Sequence, residues 1–179
     1  MKVVLIGMIM IVQTSGGCAA IAAAQQAARL EEEQTARSCA EGDPQACLRQ
    51  ANRLRDRSRY YASSPRDDEA MLDSYRRACD GGLLEACLAA RELFAIHHAD
   101  SEEPLRFAVA SCRLGHTYSC SDAMRMTTVP DARADLARRL CGLSPEGCPT
   151  GISLLLQTDR NAATALGQEV CATNDRLGE

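Results

Sequence analysis

Three stretches of the chain superimpose residue for residue: SCAEGDPQACL from Ser38, ACDGGLLEACL from Ala78 and SCRLGHTYSCS from Ser111. In each, two cysteines stand eight residues apart (Cys39 and Cys47, Cys79 and Cys87, Cys112 and Cys120). A glycine, Gly42, Gly82 or Gly115, follows three residues after the first cysteine. A fourth stretch, LCGLSPEGCP from Leu140, is a degenerate copy: Cys141 and Cys148 are seven apart, and Ser144 replaces the glycine. A recurring unit of this kind restricts the chain to a repeat architecture, in which each copy is one supersecondary element that buries its apolar face only by stacking on the next.

The first cysteines lie 40, 33 and 29 residues apart, around the periods of helical-hairpin repeats. Segments of helical character precede them at 22–36, 68–77, 102–110 and 131–140, with Asp67, Asp68, Ser101 and Asp131 as suitable N-terminal caps. The glycine then serves as a helix stop, because the residue past the last turn often takes a positive φ. Second helices are predicted from Pro44 to about Arg57, Leu84 to about His97, Ser119 to about Met126 and Pro149 to about Gln157, with Pro44 and Pro149 suited to a first helical turn. The connection Ser58–Arg66 accounts for the long first spacing, and Tyr60 and Tyr61 are placed there to cap the first hairpin. Residues 161–177 read as an orphan first helix that closes the stack.

Composition agrees with helices. Hydrophobic residues make up 46% of the 179-residue chain, aromatics only 3%, and Trp is absent, so the apolar content is largely Ala and Leu, which favour close-packed helices over strands. Lys2 is the only lysine, and the net charge is −4. Nucleic acid is excluded as an expected partner, since phosphate binding requires a concentrated excess of positive charge.

The N-terminus reads as an export signal. Lys2 precedes ten uninterrupted apolar residues, Val3 to Val12, a run too short to span a bilayer but suited to the apolar region of a secretory signal. Ser15-Gly16-Gly17-Cys18 resembles the lipobox of bacterial lipoproteins, although Ser15 stands where Leu is usual. That resemblance implies diacylation of Cys18 and, with Ala19 following, outer-membrane sorting toward the periplasm in a diderm bacterium. The alternatives are soluble periplasmic or secreted export after cleavage at Ala20-Ile21-Ala22 and a retained N-terminal helix.

The cysteine unit resembles the cysteine-rich branch of Sel-one-like repeat proteins, relatives of the tetratricopeptide repeat, over residues 34–148. The resemblance implies an all-α fold, a short α-solenoid of about four disulfide-stapled helical hairpins plus a C-terminal capping helix, with each cysteine pair bridging the two helices of one hairpin. It also implies roles in protein recognition or complex assembly. The bridge suits the expected geometry, since both cysteines of a pair flank one tight turn where Cα atoms can approach within disulfide range. Reduced, buried cysteines are the alternative, which an exported location disfavours. Zinc is a poor fit to pairs eight apart with no C-x-x-C motif and only three histidines. Cys171, left outside the four pairs, is read as a free thiol at the first-cysteine position of a truncated fifth unit, with an intermolecular bridge as the alternative.

The expected organisation is a signal peptide over 1–17, a tether or first helix over 18–33, repeats over 34–160, and a capping helix and tail over 161–179. No catalytic residue, metal or cofactor is assigned. His97 and His98 fall at a helix end, where a cationic side chain needs no further role, and His116 is expected to be exposed, with no nucleophile beside it in sequence to suggest a triad. Glu31, Glu32 and Glu33 read as a solvated helix face. The expected function is a lipid-anchored envelope scaffold that binds an unidentified protein or peptide. Two alternatives stand beside it. Some cysteine-rich relatives are associated with binding or hydrolysing β-lactams, although Ser-x-x-Lys is absent here, and the chain could instead be a structural lipoprotein without a dedicated partner.

Overall fold

The computed structural model describes residues 3–60, 64–98 and 100–177, with side chains at 19–58, 64–96, 98 and 100–172. Among the described residues there are nine helices and no strand: α1 (Val3–Ala40), α2 (Pro44–Tyr60), α3 (Pro65–Asp80), α4 (Leu84–His97), α5 (Glu103–Arg113), α6 (Thr117–Met126), α7 (Pro130–Leu143), α8 (Cys148–Leu156) and α9 (Arg160–Leu177). Each helix packs on the next. In addition α3 touches α5, α5 touches α7, α7 touches α9, and α6 touches α8. Odd and even helices therefore form two layers of a short, disulfide-stapled solenoid, with α9 stacked at its end.

The turn of each hairpin follows from one backbone motif. The glycine amide donates to the carbonyl of the first cysteine (Gly42 to Cys39, 3.0 Å; Gly82 to Cys79, 2.9 Å; Gly115 to Cys112, 3.0 Å). The following amide reaches back to the residue before that cysteine (Asp43 to Ser38, 3.0 Å; Leu83 to Ala78, 3.2 Å; His116 to Ser111, 3.0 Å). This pair of bonds is the Schellman closure of a helix C-terminus. It requires a left-handed residue between the two donors, and Gly42, Gly82 and Gly115 have φ of 97°, 86° and 96°. The fourth unit turns differently. Ser144 is extended at φ −151°, its amide bonds Leu140 O, and its Oγ accepts from the Gly147 amide at 3.1 Å.

All four pairs are bridged: Cys39–Cys47, Cys79–Cys87, Cys112–Cys120 and Cys141–Cys148, with Cα separations of 4.5, 4.6, 4.6 and 4.1 Å. Each bridge ties the end of one helix to the start of the next.

Several boundaries differ from the sequence reading. The α3 cap is Ser64, three residues before Asp67, and the first two hairpins are joined at 61–64 because α2 runs on to Tyr60. Helix α5 starts after Glu102 and α7 after Val129, neither giving a side-chain cap, so Ser101 and Asp131 do not cap them. The side chain of Ser101 instead donates to His98 O at 2.8 Å. Prolines mark these starts: Pro65, Pro104 and Pro130, like Pro44 and Pro149, occupy first-turn positions, where the missing N–H has no helical partner to lose. The proposed capping role of Tyr60 and Tyr61 lies outside the described side chains.

Helix α1 is continuous through both the apolar run and the first repeat, at 38 residues and about 57 Å. Residues 19–30 are exposed on all sides, and burial begins at Thr35 and Cys39. Side-chain contact with α2 begins at Glu31 and Glu32, and residues 19–30 are exposed beyond it.

The core is built from small residues in facing positions. Ala46, Ala51, Ala78, Ala86, Ala90, Ala108, Ala123 and Ala137 are fully buried, which lets helix axes approach closely and bury backbone as well as side chains. Tyr75 is also fully buried, and its hydroxyl is satisfied by Asn52 Oδ1 at 2.7 Å. Phe94 and Phe107, with ring centroids 5.2 Å apart, close the apolar cluster of the first four helices. The neighbouring Ala108 and Cys112 belong to the cluster of the last five. Helix α5 thus feeds both halves.

Arginines tie the units together. Arg53 and Arg57 of α2 pair with Glu31 and Glu32 of α1 at 3.2 and 2.8 Å, so two members of the acidic triplet face arginine as well as solvent. Arg91 of α4 bonds Asp122 of α6 at 2.7 Å, and Arg106 of α5 bonds Asp80 of α3 at 2.5 Å. Arg139 of α7 donates to the Cys112 carbonyl at 3.0 Å and to the Arg113 carbonyl, supplying partners for the open C-terminus of α5.

Candidate functional site

An open cleft of about 670 Å³ lies where α3, the end of α4 and the start of α5 meet. Its position follows from three local features. Ser64 fixes the start of α3: its Oγ accepts from the Asp67 amide and donates to Asp67 Oδ2 at 2.8 Å, a reciprocal capping arrangement. The Asp67 carboxyl is held below its ordinary value of 3.8, chiefly by that side-chain bond and then by the Ser64 backbone contact. The next turn points Asp68, Glu69 and Leu72 toward the cleft.

On the opposite wall, α4 ends as the His98 amide bonds Phe94 O at 2.8 Å. This places the Phe94 and His98 rings 5.5 Å apart at the lining. Glu103, at the start of α5, forms the third side.

Buried Leu72 and Phe94 form an apolar floor, and the lining also includes exposed Pro65, four carboxylates, Asp68, Glu69, Asp73 and Glu103, and one arginine, Arg76. Arg76 lies across the floor. Its guanidinium carbon is 5.2 Å from the centre of the Phe94 ring, and its nitrogens reach Glu103 Oε2 at 3.3 Å and Asp73 Oδ1 at 3.6 Å. Asp73 and Glu103 are shared with Arg77 and Arg106 on the outer side. Glu69 is exposed. Arg76 therefore covers the buried Phe94 face and links the α3 and α5 sides of the cleft through Asp73 and Glu103.

Sequence reasoning did not find this site. Its residues come from three helices of two hairpins, and none of them carries a motif. Of the residues it did single out, His98 and the expected caps Asp68 and Ser101 line the cleft, whereas the His97 side chain lies outside the described residues.

His116 corrects an expectation. It is half-buried rather than exposed, and its Nδ1 lies 2.8 Å from Ser119 Oγ, a nucleophile three residues away that the sequence reading did not weigh. Ser119 is fully buried, and Arg91 Nη1 approaches its oxygen at 3.5 Å. A hydroxyl enclosed in this way is out of reach of a substrate, so the pair serves as a helix-start contact next to the Arg91–Asp122 bridge.

Cys171 is exposed and outside any bridge. It lies within α9, which continues past it to Leu177, so no turn follows it as in the other units. The Cys18 side chain lies outside the described residues. Among the described residues no helix is long and apolar enough to cross a membrane, and no group of three or more His, Cys, Asp or Glu is placed to hold a metal ion. No family model, curated protein or solved structure matches the chain.

Proposed function

We propose that the protein is an exported repeat scaffold, anchored through a lipid on Cys18, which binds another protein at the cell envelope. The observation that carries this reading is the open cleft at the junction of α3, α4 and α5, whose walls are helix surfaces from adjoining hairpins. Concave surfaces of stacked helical hairpins are the usual recognition surfaces of solenoids. Four bridges support the exported setting, because disulfides persist in oxidising compartments. The cysteine unit supports kinship with Sel-one-like repeats. The exposed stretch of α1 over residues 19–30 suits a spacer between anchor and repeats.

A photo-crosslinking residue at position 69, introduced into the full chain in intact cells, tests the reading. A single reproducible protein adduct is expected. Turnover of a β-lactam reporter by the purified protein, abolished by a point substitution, would overturn it.

A further inference from the structure

We propose that the fourth bridge, Cys141–Cys148, is a thiol-exchange site, at which a low-molecular-weight thiol enters a cleft between α7, α8 and α9 and forms a mixed disulfide with Cys141.

The four bridges are not equally enclosed. The six cysteines of the first three bridges are at most 4% exposed. Cys141 is half-buried, and it and Cys148 line an open cleft of about 260 Å³ together with Gly142, Pro145, Leu166 and Val170. Cys79 also borders a recess, but at 4% exposure. On the rim of the fourth-bridge cleft Arg138 faces Glu169 at 3.9 Å, so the two charges offset each other and an incoming thiolate meets no net repulsion.

Exchange proceeds by attack of a thiolate on one sulfur while the other leaves as a thiolate. The helix ends decide which sulfur leaves. Cys148 is the first residue of α8, at the positive end of the helix, where a thiolate is stabilised. Cys141 lies in the last turn of α7, at the negative end. In the other three units the second cysteine, Cys47, Cys87 or Cys120, stands three residues further into its helix. Attack therefore falls on Cys141: the incoming sulfur bonds to Cys141 Sγ, the Cys141–Cys148 bond breaks, its electron pair leaves on Cys148 Sγ, and the thiol's proton goes to solvent. One disulfide replaces another, so no oxidant or reductant is consumed.

The turn keeps its own bonds when the bridge opens. The Gly147 amide donates to the Ser144 carbonyl at 3.0 Å and to its Oγ at 3.1 Å, and the Ser144 amide bonds Leu140 O at 3.0 Å. Cys148 thus stays beside Cys141 and can expel the adduct, which makes the exchange reversible. The attacking thiol comes from solvent. The chain's own exposed thiol, Cys171, follows Leu166 by five residues in α9, which turns it about 140° away from the residue that faces the cleft.

The test incubates the oxidised full chain with reduced glutathione, quenches with acid and N-ethylmaleimide, and maps the modified peptides by mass spectrometry. Glutathione is expected on Cys141 and maleimide on Cys148, formed at least tenfold faster than any other bridge opens. In glutathione redox buffers the fourth bridge should open at a ratio at least tenfold less reducing than the others require. Gly142→Trp, at a position where a Cβ meets nothing within 4 Å, should cover the cleft and slow the adduct at least tenfold with an unchanged circular dichroism spectrum. Opening of another bridge first, equal opening of all four, glutathione on Cys148 instead of Cys141, or an unslowed adduct in folded Gly142→Trp would each overturn the proposal. The order of opening and the position of the adduct in the unsubstituted chain decide it independently of the variant.

Discussion

Gly81 sits beneath the ring of Pro44: a methyl group built on its Cα would stand 2.2 Å from the proline Cγ and 2.5 Å from Cβ. The turn of the second hairpin is thereby pressed against the start of α2 in the first. Its neighbour Gly82 has open space around it but a φ of +86°. The two adjacent glycines are needed for different reasons, one steric and one conformational. Gly81→Ala is expected to cost about 1–3 kcal/mol through overpacking, and Gly82→Ala about 1–2 kcal/mol through left-handed strain. Replacing Pro44 by Ala should recover part of the loss in the Gly81→Ala background and none of it in the Gly82→Ala background, as read by urea denaturation.

Removal of the second bridge by Cys79→Ser/Cys87→Ser should lower stability by about 2–3 kcal/mol, the chain-entropy value for so short a loop. Thermal melts under non-reducing conditions check this. The intact mass should also show eight cysteines oxidised, and alkylation of those eight in addition to the free Cys171 would contradict the bridges.

Phe107 is fully buried against Phe94 at 5.2 Å and lies where the two apolar clusters adjoin. Phe107→Ala is expected to cost about 3–5 kcal/mol. Because α5 serves both halves, amide hydrogen exchange should rise in α3 and α4 as well as in α6 and α7.

Arg139 bonds the Cys112 and Arg113 carbonyls at the end of α5. Arg139→Met keeps the aliphatic stem and removes the donors, and should cost about 0.5–1.5 kcal/mol, the net range for a hydrogen bond at an exposed side chain. Exchange protection should fall at the α5–α6 turn and stay unchanged at the α3–α4 turn.

The carboxyl of Asp67 is depressed below 3.8, first by its bond to Ser64. A carboxyl depressed in the folded state stabilises it above the unfolded pKa and loses that contribution as pH falls through the folded value. The difference between the protein and Ser64→Ala should therefore be full at pH 6 and shrink below about pH 4. A titration of the Asp67 side chain by NMR should show a return toward the ordinary value in the variant.

The hairpin ends were legible in the residues because their determinants are local. A left-handed residue must separate the two amides that bond back to Cys39 and Ser38, and glycine takes that conformation at least cost, so Gly42, Gly82 and Gly115 mark their turns without reference to the rest of the chain. Helix starts were less legible. Asp67 and Ser64 are both good caps by type, and which one caps depends on where the helix begins, which Pro65 sets. Pro65, Pro104 and Pro130 carried that signal at first-turn positions, and weighing all of them would have moved the predicted starts.

The repeated unit alone determined the order of helices, the three glycine turns and which cysteines stand opposite each other, because each depends on bonds spanning fewer than about ten residues. Only the tertiary structure decided that Gly81 must be small, that arginines clamp carbonyls and carboxylates of other hairpins, and that Asp68, Phe94 and Glu103 share one cleft. Those relationships join residues from different helices, and their distances are set by the angle and depth at which α3, α4 and α5 pack. That packing is fixed by the buried alanines and by the Phe94–Phe107 contact acting together, which no single stretch of the sequence contains.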